Sequence, residues 1–457
     1  MSATARLGSS FRDPSGFTFR HEGVVHRQIS SAYAEEFAAL QASGLLQELI
    51  AANLLVPHEE VEIGIAPEPG AAYVIRPEQL EWISYPYEWG FGQWKDAALC
   101  TLEIAKRSFE KGFVLKDASA FNIQFRRGKP IFIDTLSFEK YVEGEPWIAY
   151  RQFCQHFLAP LALMAYVDPR LGTLFRCHLD GIPLDLATKM LPGKARWNFG
   201  IRTHIEFHAK ANAGTSDKAA KPMPKLARMA LMDSLKRTIE SLTWKPTGTE
   251  WADYYSATNY SEKAETAKRD LVKTYLSKVP DTAKTCWDLG ANDGSFSRLS
   301  VDRGLQTVGW DIDRGAVENG YRWMLGENRE NYLPLTLDLT NPSPSIGWNL
   351  EERDSFFARG PVDVVLGLAL IHHLAIGNNV PLGHLADFFA RIGEWCILEF
   401  VPKSDSQVMR MLVARKDVFD NYDRENFEQA MKTKFDIVAM DQVQDSDRIL
   451  YLLRRRV

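Results

Sequence analysis

The residues best placed to do chemistry form a short segment in the second half of the chain. An apolar run leads into Asp288, and Gly290, Asn292 and Gly294 follow in a tight turn. A strand, a glycine turn and a helix start in this order are typical of α/β sheets that hold a nucleotide-like ligand. Glycine permits close approach of the backbone because it has no side chain. The spacing Asp-x-Gly-x-x-x-Gly differs from that of a dinucleotide site, since Ala291 and Asn292 stand where a middle glycine is expected.

Two carboxylates and two leucines are predicted to face the same ligand from the strands that follow. Asp311 closes the second strand of this region and Asp338 closes the third. Carboxylates there can accept hydrogen bonds from two ribose hydroxyls and from an adenine amino group, respectively. Leu339 would pack on the adenine ring, and Leu368 lies just after the fourth strand. Asp313 is near enough in sequence to compete with Asp311 for the ribose, so the pattern leaves both open.

Candidate catalytic groups follow the fourth strand and end the fifth. His372 and His373 come directly after the fourth strand, and Glu399 lies near the end of the fifth. Histidine titrates near neutral pH and can take a proton from a hydroxyl or an amine. His373 is the preferred base, and Glu399 is a second candidate, for binding a polar acceptor. The alternative is that one histidine packs against, or caps, the next segment.

In this order the motifs resemble those of class I S-adenosylmethionine (SAM)-dependent methyltransferases, over roughly residues 240–457. The whole chain also resembles bacterial proteins related to nodulation host-specificity methyltransferases. The resemblance implies that SAM is bound by Asp288, Gly290, Asn292, Gly294, Asp311, Asp338, Leu339 and Leu368. Tyr260 would cover the methionine end, unless it belongs to the core. A methyl group would pass by in-line displacement to a small-molecule or glycan-type acceptor. The alternative, a dinucleotide dehydrogenase, would need a third glycine and a hydride-transfer constellation.

A second group of polar residues lies on a predicted hairpin in the N-terminal half. Asp117 and Asn122 stand at its beginning, a turn is predicted at 127–128, and Asp134 follows its second strand. In order and spacing these residues resemble the catalytic core of protein kinases and aminoglycoside phosphotransferases. The resemblance implies that Asp117 positions an acceptor hydroxyl. It also implies that Asn122 and Asp134 hold Mg²⁺ against the phosphates of ATP.

The departures from the kinase pattern concern its phosphate-binding parts. No glycine-rich loop lies near the N-terminus, and Asp134 is followed by Thr-Leu instead of Phe-Gly. The usual lysine position reads as Arg27, for which Glu35 or Glu36 on the next helix is the expected partner. Two interpretations stay open: a phosphotransferase site that uses ATP and Mg²⁺, or polar residues that cap turns in an ordinary α+β domain.

Strand-like and helix-like runs alternate from Asp288 to the end of the chain. Alternation of this kind predicts an α/β fold, here a Rossmann-like seven-stranded methyltransferase sheet, preceded by an α+β kinase-like domain. The predicted domains are residues 1–205, kinase-like; 206–235, linker and connecting helix; and 236–457, methyltransferase. The linker rests on the Ala, Lys, Gly, Ser and Pro content of 209–224. Individual predictions include helices at 33–50 and 261–279 and a strand at 82–85.

Composition gives no support for a nucleic-acid-binding, membrane-binding or zinc-cluster protein. A net charge of −5 over 457 residues gives no general attraction to nucleic acid or anionic membranes. The five cysteines include no Cys-x-x-Cys pair, which fits reduced thiols in a cytoplasmic protein without a zinc cluster. No secretory signal and no membrane span are expected, and the oligomeric state is open. The sequence therefore predicts a SAM-dependent methyltransferase with an accessory kinase-like domain. The alternatives are a bifunctional kinase and methyltransferase, and a non-enzymatic SAM-binding scaffold.

Overall fold

The chain forms two units, and the division does not follow the sequence in one cut. The computed structural model describes residues 5–213, 222–246, 262–413 and 417–456. Unit 1 comprises Met1–Trp244 and Ser345–Arg353, and unit 2 comprises Lys245–Pro344 and Asp354–Val457. The predicted connecting helix therefore belongs to unit 1. The segment 345–353 also belongs to unit 1, although it interrupts unit 2 in the sequence.

Unit 1 has the mixed α+β content that the sequence predicts. Its strands are β1 Ala5–Arg6, β2 Gly16–His21, β3 Val24–Ser30, β4 His58–Val61, β5 Ala71–Pro77, β6 Phe113–Leu115, β7 Ile123–Arg126, β8 Lys129–Phe132 and β9 Phe138–Lys140. Its helices are α1 Ala34–Ser43, α2 Leu45–Ala51, α3 Phe91–Glu110, α4 Tyr150–Phe153, α5 Ala159–Tyr166, α6 Leu184–Met190, α7 Phe199–Ile201, α8 His208–Ala213 and α9 Lys225–Ser241. Within the described residues, an antiparallel sheet has the order β1-β2-β3-β5-β4, and β6 pairs with β9 and β7 with β8.

Two local predictions for unit 1 are corrected by the structure. The helix predicted at 33–50 is divided, because Gly44 has a φ of 70° that ends α1 and begins α2. The strand predicted at 82–85 is wrong, since these residues are irregular. Their backbone N–H groups bond to side chains instead of a neighbouring strand: Ser84 N donates to Gln124 Oε1 (2.8 Å) and Tyr85 N to Glu88 Oε2 (3.0 Å).

The predicted hairpin in unit 1 is confirmed and consists of β7 and β8. Its turn lies at Arg127 and Gly128, with φ angles of 50° and 73°, which suit a two-residue hairpin connection. Ile133 N donates to Asn122 O at 2.9 Å. This bond brings Asn122 and Asp134 to the same end of the hairpin.

Unit 2 contains the predicted alternation of strands and helices. Its strands are β10 Thr285–Leu289, β11 Gln306–Asp311, β12 Tyr332–Thr336, β13 Val362–Gly367, β14 Gly393–Phe400, β15 Phe435–Gln442 and β16 Ile449–Arg455. Its helices are α10 Glu262–Lys278, α11 Ser297–Asp302, α12 Arg314–Gly326, α13 Leu382–Ile392, α14 Ser406–Val413 and α15 Arg424–Lys432.

The seven-stranded sheet predicted for the C-terminal half is confirmed within the described residues. Its order is β12-β11-β10-β13-β14-β16-β15. Strands β10 to β14 run parallel, and β16 is antiparallel to both of its neighbours. The order reverses direction at β10, and the carboxyl ends beside such a point form a crevice for ligands. Four of the five residues of β10 are buried, as expected for a central strand of a parallel sheet that is covered on both faces.

Helix α10 packs its apolar face against this sheet. Val272, Tyr275 and Leu276 are buried in one core cluster with residues of β10, β13, β14 and β16. The helix therefore lies beside the strands that carry the glycine turn and the histidine pair. Its residues one and two helical turns before Val272 lie next to the carboxyl ends of these strands.

Candidate active site of unit 2

A cavity of about 400 Å³ opens at the carboxyl ends of β10 to β13. Its size falls in the range of small-molecule sites. Of the residues predicted from the sequence, it is lined by Asp288, Gly290, Asn292, Asp311, Asp338, Leu339, Leu368 and His373. Tyr260 lies outside the described residues. The structure therefore brings together side chains that are 85 residues apart in the sequence, from Asp288 to His373.

Asp311 is the better placed of the two rival carboxylates. Asp311 lines the cavity and accepts the backbone N–H groups of Asn292 (2.7 Å) and Asp313 (2.8 Å). Burial raises its pKa to about 6. Asp313 instead caps α12, since its Oδ1 accepts from Gly315 N and Ala316 N at 2.7 and 3.2 Å. Of the two carboxylates, Asp311 is therefore the one that faces the cavity.

Asp288 and Asp338 complete the acidic part of the wall. Asp288 is buried, accepts from Ser297 Oγ at 2.6 Å, and has its pKa raised to about 7 by that burial. Asp338 Oδ1 accepts from the backbone N–H and the hydroxyl of Thr340 (2.8 and 2.7 Å). Its position after β12 is thereby fixed at the rim of the cavity.

The glycines of the turn have two different tasks. Gly290 has a φ of 75° and lines the cavity, as does Asn292 with a φ of 53°. Gly294 also has a positive φ, of 85°, but a Cβ there would lie 2.6 Å from Tyr332 Oη. Gly294 is thus required for packing of the turn against β12, and its part in cofactor binding stays a prediction.

The two histidines lie side by side, with ring centroids 4.2 Å apart. His373 lines the cavity, while His372 is buried with 2% exposure. Burial lowers the pKa of both rings. A neutral imidazole at pH 7 can accept a proton, and of the two histidines only His373 lines the cavity.

Glu399 lies behind the cavity wall. Its side chain is fully buried and accepts from Lys268 Nζ and from the Ala369 backbone N–H, both at 2.6 Å. Its carboxylate thus contacts two wall residues, a different environment from the acceptor-binding position that the sequence suggested.

Sequence reasoning missed several wall residues, among them Glu265, Lys268, Phe296, Trp310 and Ile312. One signal was present for Lys268. It shares a helix face with the buried Ala264 and Val272, four residues away on either side. A lysine in phase with an apolar stripe is a candidate for a buried, paired charge.

The polar residues of unit 1 also come together, but with a different partner for Arg27. Arg27 forms a buried ion pair with Asp134, so the predicted pairing with Glu35 or Glu36 is wrong. Asp134 also accepts from Ser137 Oγ (2.5 Å), which Asn122 Nδ2 approaches at 3.5 Å. Arg27 lies on β3, next to the end of the β7–β8 hairpin. Asp134 follows that hairpin, so its carboxylate is within reach of the Arg27 guanidinium.

Asp117 stands in the same cluster and is held by protein donors. It accepts from Ser119 N (2.9 Å) and Gln152 Nε2 (2.7 Å). Burial and the neighbouring Asp134 raise its pKa. Among the described residues, no three His, Cys, Asp or Glu side chains are grouped as metal ligands, and none of the helices is long and apolar enough to cross a bilayer.

Comparison with known proteins gives one relative over nearly the full length. The chain is 34% identical over 463 residues to nodulation protein NoeA of Rhizobium meliloti (strain 1021), covering 98% of this chain and 96% of that protein. No family model matches the chain.

Three solved structures each resemble less than half of the chain. Magnesium protoporphyrin IX methyltransferase (ChlM) from Synechocystis PCC 6803, with bound SAH, is 16% identical with a TM-score of 0.31, covering 45% of this chain and 92% of that one. N-methyltransferase NodS from Bradyrhizobium japonicum WM9 is 10% identical with a TM-score of 0.31, covering 43% and 99%. The bifunctional kinase-methyltransferase WbdD is 14% identical with a TM-score of 0.31, covering 48% and 45%. The full-length relative confirms the expectation for the family, and the strand order confirms the seven-stranded sheet expected for residues 236–457. The kinase-like fold expected for residues 1–205 stays a prediction. The chain belongs to the family of nodulation protein NoeA, and its unit 2 has the class I SAM-dependent methyltransferase fold.

Proposed function

We propose that the chain transfers a methyl group from SAM to a small-molecule or glycan-type acceptor. The observation that carries the proposal is the meeting of the glycine turn with Asp288, Asp311 and Asp338 around one cavity. Each element would serve one part of the cofactor. A dinucleotide would find no third glycine in this turn.

The wall residues divide into groups for the parts of SAM. Asp311 would accept from the ribose hydroxyls, and Asp338 from the adenine amino group, between Leu339 and Leu368. The turn at Gly290 would let the backbone approach the cofactor closely, and Asp288 offers negative charge for the amino group. Asp311 is buried and already accepts two backbone N–H groups. This setting suits neutral hydroxyl donors, which do not require the carboxylate to pair with a cation.

SAM supplies a methyl group on a positively charged sulfur, and the protein supplies position and a proton acceptor. The turn after β13 would hold the acceptor atom in line with that methyl carbon. His373, neutral because burial lowers its pKa, would take the proton that a hydroxyl or amine acceptor releases, and would return it to solvent afterwards. An acceptor atom without a proton would not need this step.

Transfer of a labelled methyl group from SAM to acceptors in a small-molecule or oligosaccharide extract tests the proposal. Asp311→Asn should abolish labelling by weakening SAM binding. Asp363→Asn is the matched control, because Asp363 accepts from Lys284 N and Thr285 N (2.8 and 2.9 Å) near the amino end of β13, at the opposite end of the strand from the cavity. SAM binding without labelling of any acceptor would favour the non-enzymatic SAM-binding scaffold. Absence of SAM binding would refute the assignment.

A second candidate, a bifunctional kinase and methyltransferase, is favoured by the clustering of Asp117, Asn122 and Asp134 in unit 1. Asn122 and Asp134 would hold Mg²⁺ with ATP. A metal at Asp134 would first have to displace Arg27 from the carboxylate, which is why this function ranks second. ATP-dependent phosphate transfer that is lost in Asp117→Ala and Asp134→Ala would establish it. Calorimetry that detects no binding of Mg-ATP would eliminate it.

A further inference from the structure

Unit 2 holds a buried network of charges beside the proposed SAM cavity. The Lys268 and Glu399 side chains are 3% and 0% exposed, and their Nζ and Oε2 atoms are 2.6 Å apart. The same Glu399 oxygen accepts the Ala369 N–H at 2.6 Å. On the other side, Arg448 lies 3.7 Å from Glu399 Oε1 and donates to Asp405 Oδ2 at 2.8 Å.

A buried ion pair is a poor choice for stability alone. Removing both charges from water is costly, and apolar side chains of similar volume often stabilise such an interface as well or better. The position of this pair gives another reason for its presence. Lys268 and Ala369 line the cavity, and Glu399 lies behind both.

The charges of the cavity wall complement those of SAM. Among the described residues that line it, the acidic ones are Glu265, Asp288, Asp311 and Asp338, and Lys268 alone is a lysine or arginine. SAM carries two positive groups, the amino group and the sulfonium, and one carboxylate. One lysine in an acidic wall therefore corresponds to the one anionic group of the ligand.

The position of the Lys268 ammonium also indicates the end of SAM that carries the carboxylate. Lys268 Nζ lies 4.7 Å from the ring centroid of Phe296, which directly follows the glycine turn. The turn itself lines the cavity at Gly290, Ala291 and Asn292, so the ammonium and the turn border the same cavity. Lys268 would add a full charge to this environment.

We propose that Lys268 binds the carboxylate of SAM and that Glu399 is a positioning residue for it. The inference rests on the proposed function. Glu399 fixes the Lys268 side chain before the ligand arrives, which reduces the entropy lost on binding. Through the same oxygen it stabilises Ala369, whose φ of 50° is uncommon for a residue other than glycine. Glu399 thus connects the cofactor-binding helix α10 to the turn that leads to His373.

Two ligands that differ only in the amino-acid part of the cofactor can distinguish carboxylate binding by Lys268 from a purely structural role of this residue. S-adenosylhomocysteine (SAH) carries the carboxylate, whereas 5′-methylthioadenosine shares its adenine, ribose and sulfur but lacks the carboxylate. Calorimetry should show that Lys268→Met weakens SAH binding by roughly tenfold or more, as expected for a charge-assisted hydrogen bond. Methylthioadenosine affinity should stay within about twofold. Lys273→Met, at an exposed position of the same helix, is the control and should change neither affinity.

Further variants keep the test decisive. Glu399→Gln should cause a smaller loss that is again selective for SAH. The double variant Lys268→Met/Glu399→Gln removes both charges, so that no carboxylate is left without its lysine, and should show the full selective loss. An unchanged SAH affinity, or equal losses for both ligands, would overturn the proposal. A wild-type protein that binds neither ligand would instead refute the proposed function.

Discussion

The two carboxylate-rich clusters of the chain differ in what neutralises their charge. In unit 1, Asp134 is paired with Arg27, and both side chains are nearly buried. In unit 2, Asp288 and Asp311 are held by a hydroxyl and by backbone N–H groups. Burial raises the pKa of the two carboxyls in unit 2. Burial also opposes ionisation of Asp134, but Arg27 and Ser137 outweigh it and lower that pKa.

This difference in pKa indicates which carboxylates a bound ligand would stabilise most. A buried carboxylate with a raised pKa gains from a ligand that brings donors or positive charge. A carboxylate that already has an arginine partner gains little. We therefore expect a ligand to gain more at Asp288 and Asp311 of unit 2 than at the Arg27–Asp134 pair of unit 1.

The largest expected effect comes from closing the unit 2 cavity while leaving unit 1 intact. Gly290→Arg places a long side chain in the cavity wall, at a backbone φ of 75°. SAM affinity should fall by more than about 1,000-fold, beyond the range of a calorimetric titration. Gly23→Arg is the control in unit 1, since Gly23 also has a positive φ, of 82°, and a Cβ there meets no atom within 4 Å. SAM affinity retained in the Gly290 variant would contradict the site.

Breaking the charge pair of unit 1 should affect stability and leave SAM binding unchanged. Arg27→Met leaves Asp134 buried without its cation, which typically costs about 3–5 kcal/mol in the free energy of unfolding. Chemical denaturation of the wild type and the variant measures the loss, and SAM titration provides the second readout. A large change in SAM affinity would show that the two clusters are not independent.

The two clusters should also give opposite dependences on pH. The pKa of Asp288 is raised to about 7, so its contribution to stability is full below about pH 4 and is lost as the pH rises through 7. Asp288→Asn should therefore gain stability relative to the wild type between pH 4 and 8, by at most about 4 kcal/mol. The lowered pKa of Asp134 has the reverse sign: its contribution is present above about pH 4 and is lost on acidification. Asp134→Asn should therefore be less stable than the wild type by a constant amount between pH 4 and 8, and this difference should shrink only below about pH 4. A stability difference that changes between pH 4 and 8 in both variants would contradict the comparison.

The site residues that could be predicted from the sequence are those whose position follows from the neighbouring strand. Gly290, Asp311 and Asp338 each stand at the end of a strand, and parallel strands place such ends together without further information. Lys268 was missed because its partner, Glu399, lies 131 residues away. The partner of Arg27 was mispredicted for the same reason, since Asp134 is 107 residues away.

Some features of the fold have no local signal at all. The segment 345–353 looks in sequence like a loop of unit 2, yet Glu352 accepts from Arg12 at 2.6 Å and the Arg353 guanidinium lies 4.1 Å from the Phe121 ring centroid. Both contacts join it to unit 1. Pairings over such distances depend on the assembled fold, and no pattern of neighbouring residues encodes them.

A crystal structure of the protein soaked with SAH and Mg-ATP tests the division of roles most directly. We expect SAH in the unit 2 cavity, with its ribose hydroxyls on Asp311 and its adenine beside Asp338, and the Arg27–Asp134 pair intact. SAH bound elsewhere, or an unoccupied unit 2 cavity beside a Mg-ATP complex on Asn122 and Asp134, would contradict the assignment of the chemistry to unit 2.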